Sequence, residues 1–180
     1  MLNNIFCAGL GGQGVLTLGM LLAEMAASEG LFVTWTPEYG GEMRGGSANV
    51  KVKISDEELI SPFMDEIDIL VTLDKKPLAE SIAKVEPGGV VLYENSLVTE
   101  LPDRKDVRYV GVPATAIAER LGNPKGMSVA IVGAIIALTD MFPLDIATSA
   151  VEYYFSHKGL PVDKNKAVFI EGYNELKKNL

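Results

Sequence analysis

A glycine-rich loop close to the start of the chain constrains the fold more strongly than any other part of the sequence. Residues 5–8 form an apolar run typical of a buried strand, and residues 15–26 place apolar side chains at helical spacing. The loop between them, residues 9–14, reads Gly-Leu-Gly-Gly-Gln-Gly. A strand, a tight turn and a helix in this order bring backbone N–H groups and the positive end of the helix to one corner, which favours phosphate or carboxylate. The candidate binding residues of this corner are Gly9, Gly11, Gly12, Gln13 and Gly14.

The glycine spacing allows three interpretations of this loop. Gly9, Gly11 and Gly14 match the G-x-G-x-x-G pattern of dinucleotide-binding proteins, which is weak evidence when it stands alone. A nicotinamide dinucleotide site would also place a carboxylate at the end of the second strand to hold the ribose, but the first carboxylate there is Glu38, just beyond a proline. The dinucleotide role is therefore disfavoured. An anion-binding corner and a tight connection whose glycines serve only packing both remain open.

Apolar segments alternate with helical patterns along the chain, which predicts an α/β fold. The strand, helix and strand over residues 5–35 predict a parallel, right-handed βαβ unit. Residues 47–54 alternate apolar and polar side chains, as in a half-exposed strand that is antiparallel or lies at an edge. We expect an open, mostly parallel Rossmann-like sheet with helices on both faces, a helical C-terminal section and one domain over residues 1–180. The other predicted strands are residues 31–35, 67–73, 89–92 and 107–110, and the other predicted helices are residues 78–85, 114–121, 128–141, 145–157 and 163–178.

A second glycine-rich segment follows the second strand. Residues 37–46 contain four glycines, two glutamates and one arginine. In one interpretation, Arg44 forms a bidentate contact with a phosphate or carboxylate; in the other, the segment is a surface turn in which Glu38 or Glu42 pairs with Arg44. Ligands of open α/β sheets bind outside the carboxyl ends of the strands, so we expect both glycine segments and Asp74 to lie near one another. The candidate binding residues of this segment are Tyr39, Glu42, Arg44, Gly45 and Gly46.

Composition excludes several classes of function. The chain has 180 residues, a formal net charge of −8 and a pI near 4.7, without a basic patch, so we expect no nucleic-acid partner. A single cysteine, Cys7, and a single histidine, His157, exclude an internal disulfide and predict no metal site. No serine or cysteine stands in the setting of a catalytic nucleophile, and we predict no catalytic residue. The longest apolar run, residues 129–138, is too short for a membrane span and no secretory signal precedes the first strand, so we expect a cytoplasmic protein without membrane contact.

Two further features have both a structural and a functional interpretation. Asp74, at the end of a predicted buried strand, either takes part in a site or caps the helix that follows. Ala130, Gly133, Ala134 and Ala137 form a strip of small residues on one face of a helix. Another element can approach this strip closely, and packing within the chain is favoured over packing on another subunit.

The two glycine segments together resemble the gamma subunit of 2-oxoacid:ferredoxin oxidoreductases. Residues 9–15, GLGGQGV, and residues 37–46, PEYGGEMRGG, carry the resemblance, which is specific because the two motifs occur together. The family commonly has an asparagine where this chain has Ser128, which is a departure. Similar segments in the same order extend the resemblance over nearly the whole chain, at residues 50–55, 68–74, 87–90, 122–125, 133–134 and 165–173.

The resemblance implies a subunit of a multi-subunit enzyme that converts a 2-oxoacid, CoA and oxidised ferredoxin to an acyl-CoA, carbon dioxide and reduced ferredoxin. It implies that thiamine diphosphate and iron-sulfur clusters are carried by partner subunits, that CoA is the cosubstrate, and that this chain binds no cofactor alone. The implied partners are the alpha and beta subunits, with a ferredoxin-like delta subunit as a further candidate and ferredoxin as the acceptor of the complex. Among family versions acting on pyruvate, 2-oxoglutarate, branched-chain and aryl 2-oxoacids, the length of the chain favours 2-oxoglutarate or broad specificity. The alternative is a stand-alone dinucleotide- or CoA-binding module.

Overall fold

The computed structural model of the chain describes residues 2–39 and 46–180. Within them, six strands form one sheet in the order β2-β3-β1-β4-β5-β6. The strands are β1 (Leu2–Leu10), β2 (Phe32–Tyr39), β3 (Ser47–Ser55), β4 (Ile67–Thr72), β5 (Val85–Glu94) and β6 (Arg108–Val112). The helices are α1 (Val15–Ser28), α2 (Lys75–Ser81), α3 (Ala114–Arg120), α4 (Met127–Thr139), α5 (Leu144–His157) and α6 (Val162–Lys177). Two short 3-10 turns, Ile82–Lys84 and Pro124–Gly126, lead into β5 and α4.

Four strands of the sheet run parallel to one another. β4 pairs with β1, β5 with β4, and β6 with β5. In β4, Leu70 and Val71 are completely buried and Ile67 is nearly so, because both faces of this central strand are covered. The predicted α/β class with an open, mostly parallel sheet is therefore confirmed.

β3 lies between β1 and β2 and runs antiparallel to both. The alternation of residues 47–54 correctly predicts an antiparallel strand, but the edge of the sheet is formed by β2. The predicted parallel βαβ unit is wrong in one respect, because β2 runs in the direction of β1 without pairing with it. The periodicity of a strand indicates which of its faces is buried. It correctly indicates that Val50 and Val52 face the core that contains α1. It does not report which strand is the neighbour.

Helices cover the two faces of the sheet unequally. One face packs against α1, α3, α4, α5 and α6 and forms the larger core. The other face packs against α2 and the loop of residues 56–66. Met64 of this loop and Phe6 of β1 belong to the smaller core on this face. The predicted cover on both faces and the predicted helical C-terminal section are confirmed.

The strip of small residues on α4 packs against α6 of the same chain. An ideal Cβ built on Gly133 would collide with the carbonyl oxygen of Phe169 and lie 2.8 Å from the backbone nitrogen of Tyr173. On α6, a Cβ built on Gly172 would collide with the carbonyl oxygen of Ala130 and lie 2.7 Å from its carbonyl carbon. The two helices therefore touch through their backbones, and the favoured interpretation of packing within the chain is confirmed.

The cap of α2 explains where this helix begins. α2 begins at Lys75, earlier than the predicted residue 78, because an Asp74 carboxylate oxygen accepts a hydrogen bond from the backbone N–H of Lys76 at 3.2 Å. The capping interpretation of Asp74 is thus confirmed. Across residues 2–39 and 46–180, no helix combines the length and the apolar character that crossing a membrane requires.

Candidate functional site

The first glycine loop lies at the carboxyl end of β1, at the edge of the sheet where ligands of open α/β folds bind. Gly9 pairs with Ala48 of β3, and Ala48 pairs with Tyr39 of β2, so these three residues form one row across the sheet. The backbone N–H of Gly11 donates a hydrogen bond to the carbonyl oxygen of Gly46 at 3.0 Å. The two glycine segments are therefore joined at this edge, as the sequence predicts.

Two residues of the first loop adopt left-handed backbone conformations. The φ angle is 95° at Gly12 and 79° at Gly14, values that residues with a Cβ rarely adopt. Gly14 immediately precedes α1, which begins without a side-chain cap. The first backbone N–H groups of α1 thus have no side-chain acceptor at the cap position, and a helix N-terminus of this kind favours an anion.

The side chain of Gln13 is engaged within the chain. Its Oε1 accepts a hydrogen bond from the backbone N–H of Leu10 at 2.7 Å, and its Nε2 donates to the carbonyl oxygen of Leu73 at 3.3 Å. Leu73 follows β4, the parallel neighbour of β1, and the helices after these two strands cover opposite faces. Doubly wound sheets bind ligands at such a switch point. Gln13 bridges this crevice and positions the loop, and the ligand contact that the sequence predicts for its amide would have to use its second N–H or its remaining lone pair.

The N-terminus of α4 meets the same loop. Ser128, the second residue of α4, is buried, and a Cβ built on Gly14 would collide with its Oγ. Like α1, α4 begins without a side-chain cap. Two helix N-termini therefore lie side by side at the glycine corner, and both contribute partial positive charge there. Sequence patterns identify Ser128 only as a departure from the family, because nothing local relates it to a glycine so far away along the chain.

The turn after β4 is the third element at this corner. The backbone N–H of Leu73 donates to the carbonyl oxygen of Ala8 at 2.9 Å, and Thr72 Oγ1 donates to the carbonyl oxygen of Asp74 at 2.7 Å. A Cβ built on Gly9 would lie 3.3 Å from the Cβ of Leu73. The expected proximity of the first glycine loop to the Asp74 turn is therefore confirmed.

The structure describes the second glycine segment only in part. Tyr39, the last residue of β2, is 68% exposed. Gly46 is buried, and its carbonyl oxygen accepts the hydrogen bond from the first loop. Glu42, Arg44 and Gly45 lie outside the described residues, and their roles stay predictions.

Glu38, the carboxylate nearest to the end of the second strand, is poorly placed for a ribose contact. Its Oε1 lies 2.7 Å from the Nζ of Lys51. Glu38 also lines a small cavity with Phe6 and Met64, on the face of the sheet opposite α1. In addition, β3 separates β2 from β1, so β2 runs about 10 Å from β1, roughly twice the usual strand spacing. The geometry therefore disfavours the dinucleotide interpretation further.

A buried carboxylate that the sequence pattern does not predict lies at the same edge. Glu94, the last residue of β5, is completely buried. Its Oε2 accepts hydrogen bonds from the backbone N–H groups of Ser96 and Leu97 at 2.9 and 2.8 Å, and from Ser96 Oγ at 2.7 Å. Its Oε1 accepts one from the backbone N–H of Thr115 at 3.2 Å. Four donors thus satisfy the two carboxylate oxygens of Glu94, and these bonds connect the end of β5 to the start of α3.

Reactive side chains are sparse in the described chain. Among residues 2–39 and 46–180, no group of three or more His, Cys, Asp or Glu side chains could hold a metal ion. Cys7 is completely buried, and burial raises the pKa of its thiol. His157 lies in the last turn of α5, where its ring stacks on Tyr153 at a centroid distance of 5.7 Å. The glycine corner is therefore a surface made mainly of backbone groups and helix ends.

Comparison with known proteins gives a consistent family. The family model described as pyruvate ferredoxin/flavodoxin oxidoreductase matches residues 4–175. Ketoisovalerate oxidoreductase subunit VorA of Methanothermobacter marburgensis is 37% identical over 175 residues, which cover 96% of this chain and 36% of VorA. The chain thus spans about a third of the length of this curated relative. The pyruvate/ketoisovalerate oxidoreductases common subunit gamma of Thermococcus kodakarensis is 32% identical over 175 residues, which cover 93% of each protein.

A solved structure shares the fold. The 2-oxoglutarate:ferredoxin oxidoreductase from Magnetococcus marinus, with 2-oxoglutarate, coenzyme A and succinyl-CoA bound, superposes with a TM-score of 0.88 at 24% sequence identity. The superposition covers 99% of this chain and 31% of that chain. At this level of identity the similarity establishes the architecture.

Proposed function

The chain belongs to the pyruvate ferredoxin/flavodoxin oxidoreductase family, and from this membership we propose that it is the gamma subunit of a multi-subunit 2-oxoacid:ferredoxin oxidoreductase. The proposed enzyme converts a 2-oxoacid, CoA and oxidised ferredoxin to an acyl-CoA, carbon dioxide and reduced ferredoxin. The observation that carries the proposal is the family match over residues 4–175, supported by 32% identity to a gamma subunit of nearly equal extent. We assign no catalytic residue to this chain.

The proposed partners are the alpha and beta subunits, with a ferredoxin-like delta subunit as a further candidate. In this proposal the partners carry thiamine diphosphate and the iron-sulfur clusters, and ferredoxin is the acceptor of the complex. VorA supports an assembly of this kind, because the region that matches this chain is about a third of a longer polypeptide.

The chain's own contribution is proposed to be a surface that binds the phosphate groups of CoA. Two observations support this role. The uncapped N-termini of α1 and α4 meet at Gly14 and Ser128, and the hydrogen bond from Gly11 to Gly46 joins the two glycine segments. Contact of the same surface with a neighbouring subunit is the alternative use. The proposed binding residues are Gly9, Gly11, Gly12, Gly14, Tyr39, Glu42, Arg44, Gly45 and Gly46, with Gln13 positioning the loop.

For the 2-oxoacid we propose 2-oxoglutarate or broad specificity. VorA is named for ketoisovalerate, and the Thermococcus kodakarensis subunit is named as common to pyruvate and ketoisovalerate oxidoreductases. A gamma subunit that is common to two oxidoreductases supports the view that such a chain does not by itself restrict the enzyme to one 2-oxoacid. The reconstituted enzyme should therefore reduce ferredoxin with 2-oxoglutarate, alone or together with other 2-oxoacids. Strict preference for pyruvate or ketoisovalerate would contradict this assignment.

Reconstitution tests the subunit assignment. The alpha and beta subunits from the same organism are purified with and without this chain, and ferredoxin reduction is measured with a 2-oxoacid and CoA present. We expect full activity only when the chain is present. Full activity of the alpha and beta subunits alone, or oxidation of a 2-oxoacid by the isolated chain, would contradict the proposal.

A single added charge tests the anion-binding surface. Thr17 is the third residue of α1, where a carboxylate stabilises a helix by about 0.3–1 kcal/mol but repels an anion bound at the same N-terminus. For Thr17→Asp we expect unchanged or higher thermal stability together with about tenfold weaker CoA binding by the assembled enzyme, measured by calorimetric titration. Opposite signs for stability and affinity separate loss of a binding surface from loss of the fold.

Ser149→Asp is the matched control for this experiment. It adds the same charge at an exposed position of α5, beside the C-terminal end of α1 and far from the glycine corner. We expect its CoA affinity to equal that of the parent enzyme. Unchanged affinity in Thr17→Asp, or an equal loss in both variants, would refute the assignment of the corner.

The stand-alone module gives a different result in the same titration. An independent dinucleotide- or CoA-binding protein would bind its ligand without the alpha and beta subunits. We expect the isolated chain not to bind NAD(H) or NADP(H) at millimolar concentrations, because β3 occupies the place beside β1 where a ribose-binding strand would lie. Tight binding of either cofactor would favour the alternative.

A further inference from the structure

The loop between β3 and β4, residues 56–66, presents the most exposed large apolar side chains that the structure describes. Ile60 is 99% exposed and Phe63 is 78% exposed. Ser55, the last residue before this loop, pairs with Leu2 of β1 and Phe32 of β2. The side chains of Leu2 and Phe32 are also exposed. Exposed apolar side chains that are grouped in this way mark interaction sites more often than surfaces that face only water.

Hydrogen bonds within the chain hold this loop in place. The Nζ of Lys53 donates to the carbonyl oxygens of Ser61 and Phe63 at 2.8 and 3.0 Å. The backbone N–H of Phe63 donates to Ser61 Oγ at 3.2 Å, and Met64 is buried in the smaller core. These bonds restrict the backbone next to Ile60 and at Phe63, which lowers the ordering entropy that is lost on binding.

Exposed carboxylates flank the apolar pair, at residues 57–58 and 65–66. Residues 56–66 contain no lysine or arginine, and the Nζ of Lys53, which bonds to the carbonyl oxygens of Ser61 and Phe63, offsets only part of their negative charge. An apolar centre with an acidic rim is complementary to a protein surface that has an apolar depression and a basic rim. A second copy of this chain would bring the same carboxylates and a further net charge of −8 to the contact, which disfavours self-association through this loop.

We propose that residues 56–66 dock onto the alpha–beta core of the oxidoreductase, with Ile60 and Phe63 inserted into an apolar depression that lysine and arginine side chains surround. This inference rests on the proposed function. Charge complementarity defines the chemistry of the partner surface, and in VorA the region that matches this chain is about a third of a longer polypeptide. The loop lies at the end of the sheet where β1 begins, whereas the glycine corner lies where β1 ends. Docking through this loop leaves the glycine corner accessible to CoA.

The double variant Ile60→Ser/Phe63→Ser tests the apolar contact. Its dissociation constant for the purified alpha–beta core is measured by biolayer interferometry and compared with that of the parent chain. We expect binding to weaken at least about tenfold, because two large side chains lose their burial in the interface. The control is Leu160→Ser, an exposed leucine between α5 and α6, which should stay within about twofold of the parent. Unchanged binding of the double variant overturns the proposal.

Charge reversal tests the acidic rim. Glu57→Lys/Glu66→Lys should also weaken binding, and by more at low salt than at high salt, whereas Glu119→Lys on α3 should not. If Glu57→Lys/Glu66→Lys binds as tightly as the parent chain, the proposed basic rim on the partner surface is overturned. A dimer of the parent chain that Ile60→Ser/Phe63→Ser abolishes, while the assembled enzyme is unaffected, would make a second copy the occupant.

Hydrogen exchange gives a readout that needs no variant. In the assembled enzyme, the backbone amides of residues 56–66 should exchange more slowly than in the isolated chain. An assembled and active enzyme with unchanged exchange in this loop overturns the docking surface while leaving the proposed function intact. Failure of the parent chain to bind the alpha–beta core at all would overturn both.

Discussion

Replacing Gly133 with alanine should destabilise the fold, although alanine is the better helix former. The added methyl group would collide with the carbonyl oxygen of Phe169 and lie 2.8 Å from the backbone nitrogen of Tyr173. These obstacles are backbone atoms of α6, which cannot rotate away as the end of a side chain can. The two helices would have to separate, and the buried side chains on both of them would have to repack.

The expected loss follows from two opposing effects. Overpacking a core costs about 1–3 kcal/mol, and a backbone obstacle places this variant near 3 kcal/mol. The higher helix propensity of alanine offsets about 1 kcal/mol of this loss in the free energy of unfolding. We therefore expect the free energy of unfolding to fall by about 2 kcal/mol and Tm to fall by roughly 4–8 °C. Gly172→Ala should cost a similar amount, and the double variant should cost less than the sum, because one separation of the helices accommodates both methyl groups.

Urea denaturation followed by circular dichroism measures these differences. The matched control is Gly19→Ala, a buried glycine within α1 whose nearest obstacles are the side chains of Val50 and Trp35. Because the closest obstacle is a methyl group of Val50, at 2.5 Å, and not a backbone atom, the control should lose less stability than Gly133→Ala. A Gly133→Ala variant that is as stable as the parent, or less affected than the control, would refute the direct backbone contact between α4 and α6.

Two further predictions concern buried polar groups. At about pH 8, Cys7 should react with a thiol reagent only as the chain unfolds, because burial raises the pKa of its thiol and shields the sulfur from the reagent. Rapid labelling of the native chain would contradict the buried position of Cys7. Glu94→Ala should lower the free energy of unfolding by about 2 kcal/mol, because the part-buried hydrogen-bond donors of Ser96 and Thr115 lose their acceptor, whereas the exposed Glu119→Ala should change it by less than about 0.5 kcal/mol. Equal urea midpoints for these two variants would contradict the role of Glu94.

Elements with a regular buried face were predictable from the sequence. The apolar run of residues 67–73 corresponds to β4, and residues 145–157 correspond to α5. In both elements the same face stays buried from one end to the other, so the apolar side chains recur at regular positions. The place of β3 between β1 and β2 was not predictable in this way. It depends on Val50 and Val52 packing beneath α1, which is a contact between distant segments that periodicity does not encode.

The candidate site was predictable where one residue type is required by backbone geometry. Gly12 and Gly14 occupy left-handed conformations that other residues rarely adopt, and the glycine-rich sequence indicates such a turn. Ser128 and Glu94 were not predictable as parts of this edge. Their partners lie far away along the chain, and neither residue type suggests such a contact before the fold brings the partners together.

Insertion of β3 changes what the glycine corner can bind. In a dinucleotide-binding sheet, the strand that carries the ribose-binding carboxylate lies beside β1. In this chain the antiparallel β3 takes that place, and the hydrogen bond from Gly11 to Gly46 closes the corner on that side. On the other side of β1, the amide of Gln13 bridges the switch point to Leu73. We therefore expect a ligand to contact the exposed rim formed by Gly11 and Gly12 beside the N-terminus of α1. Such a rim suits a phosphate-bearing cosubstrate shared with another subunit, because one chain alone does not enclose it.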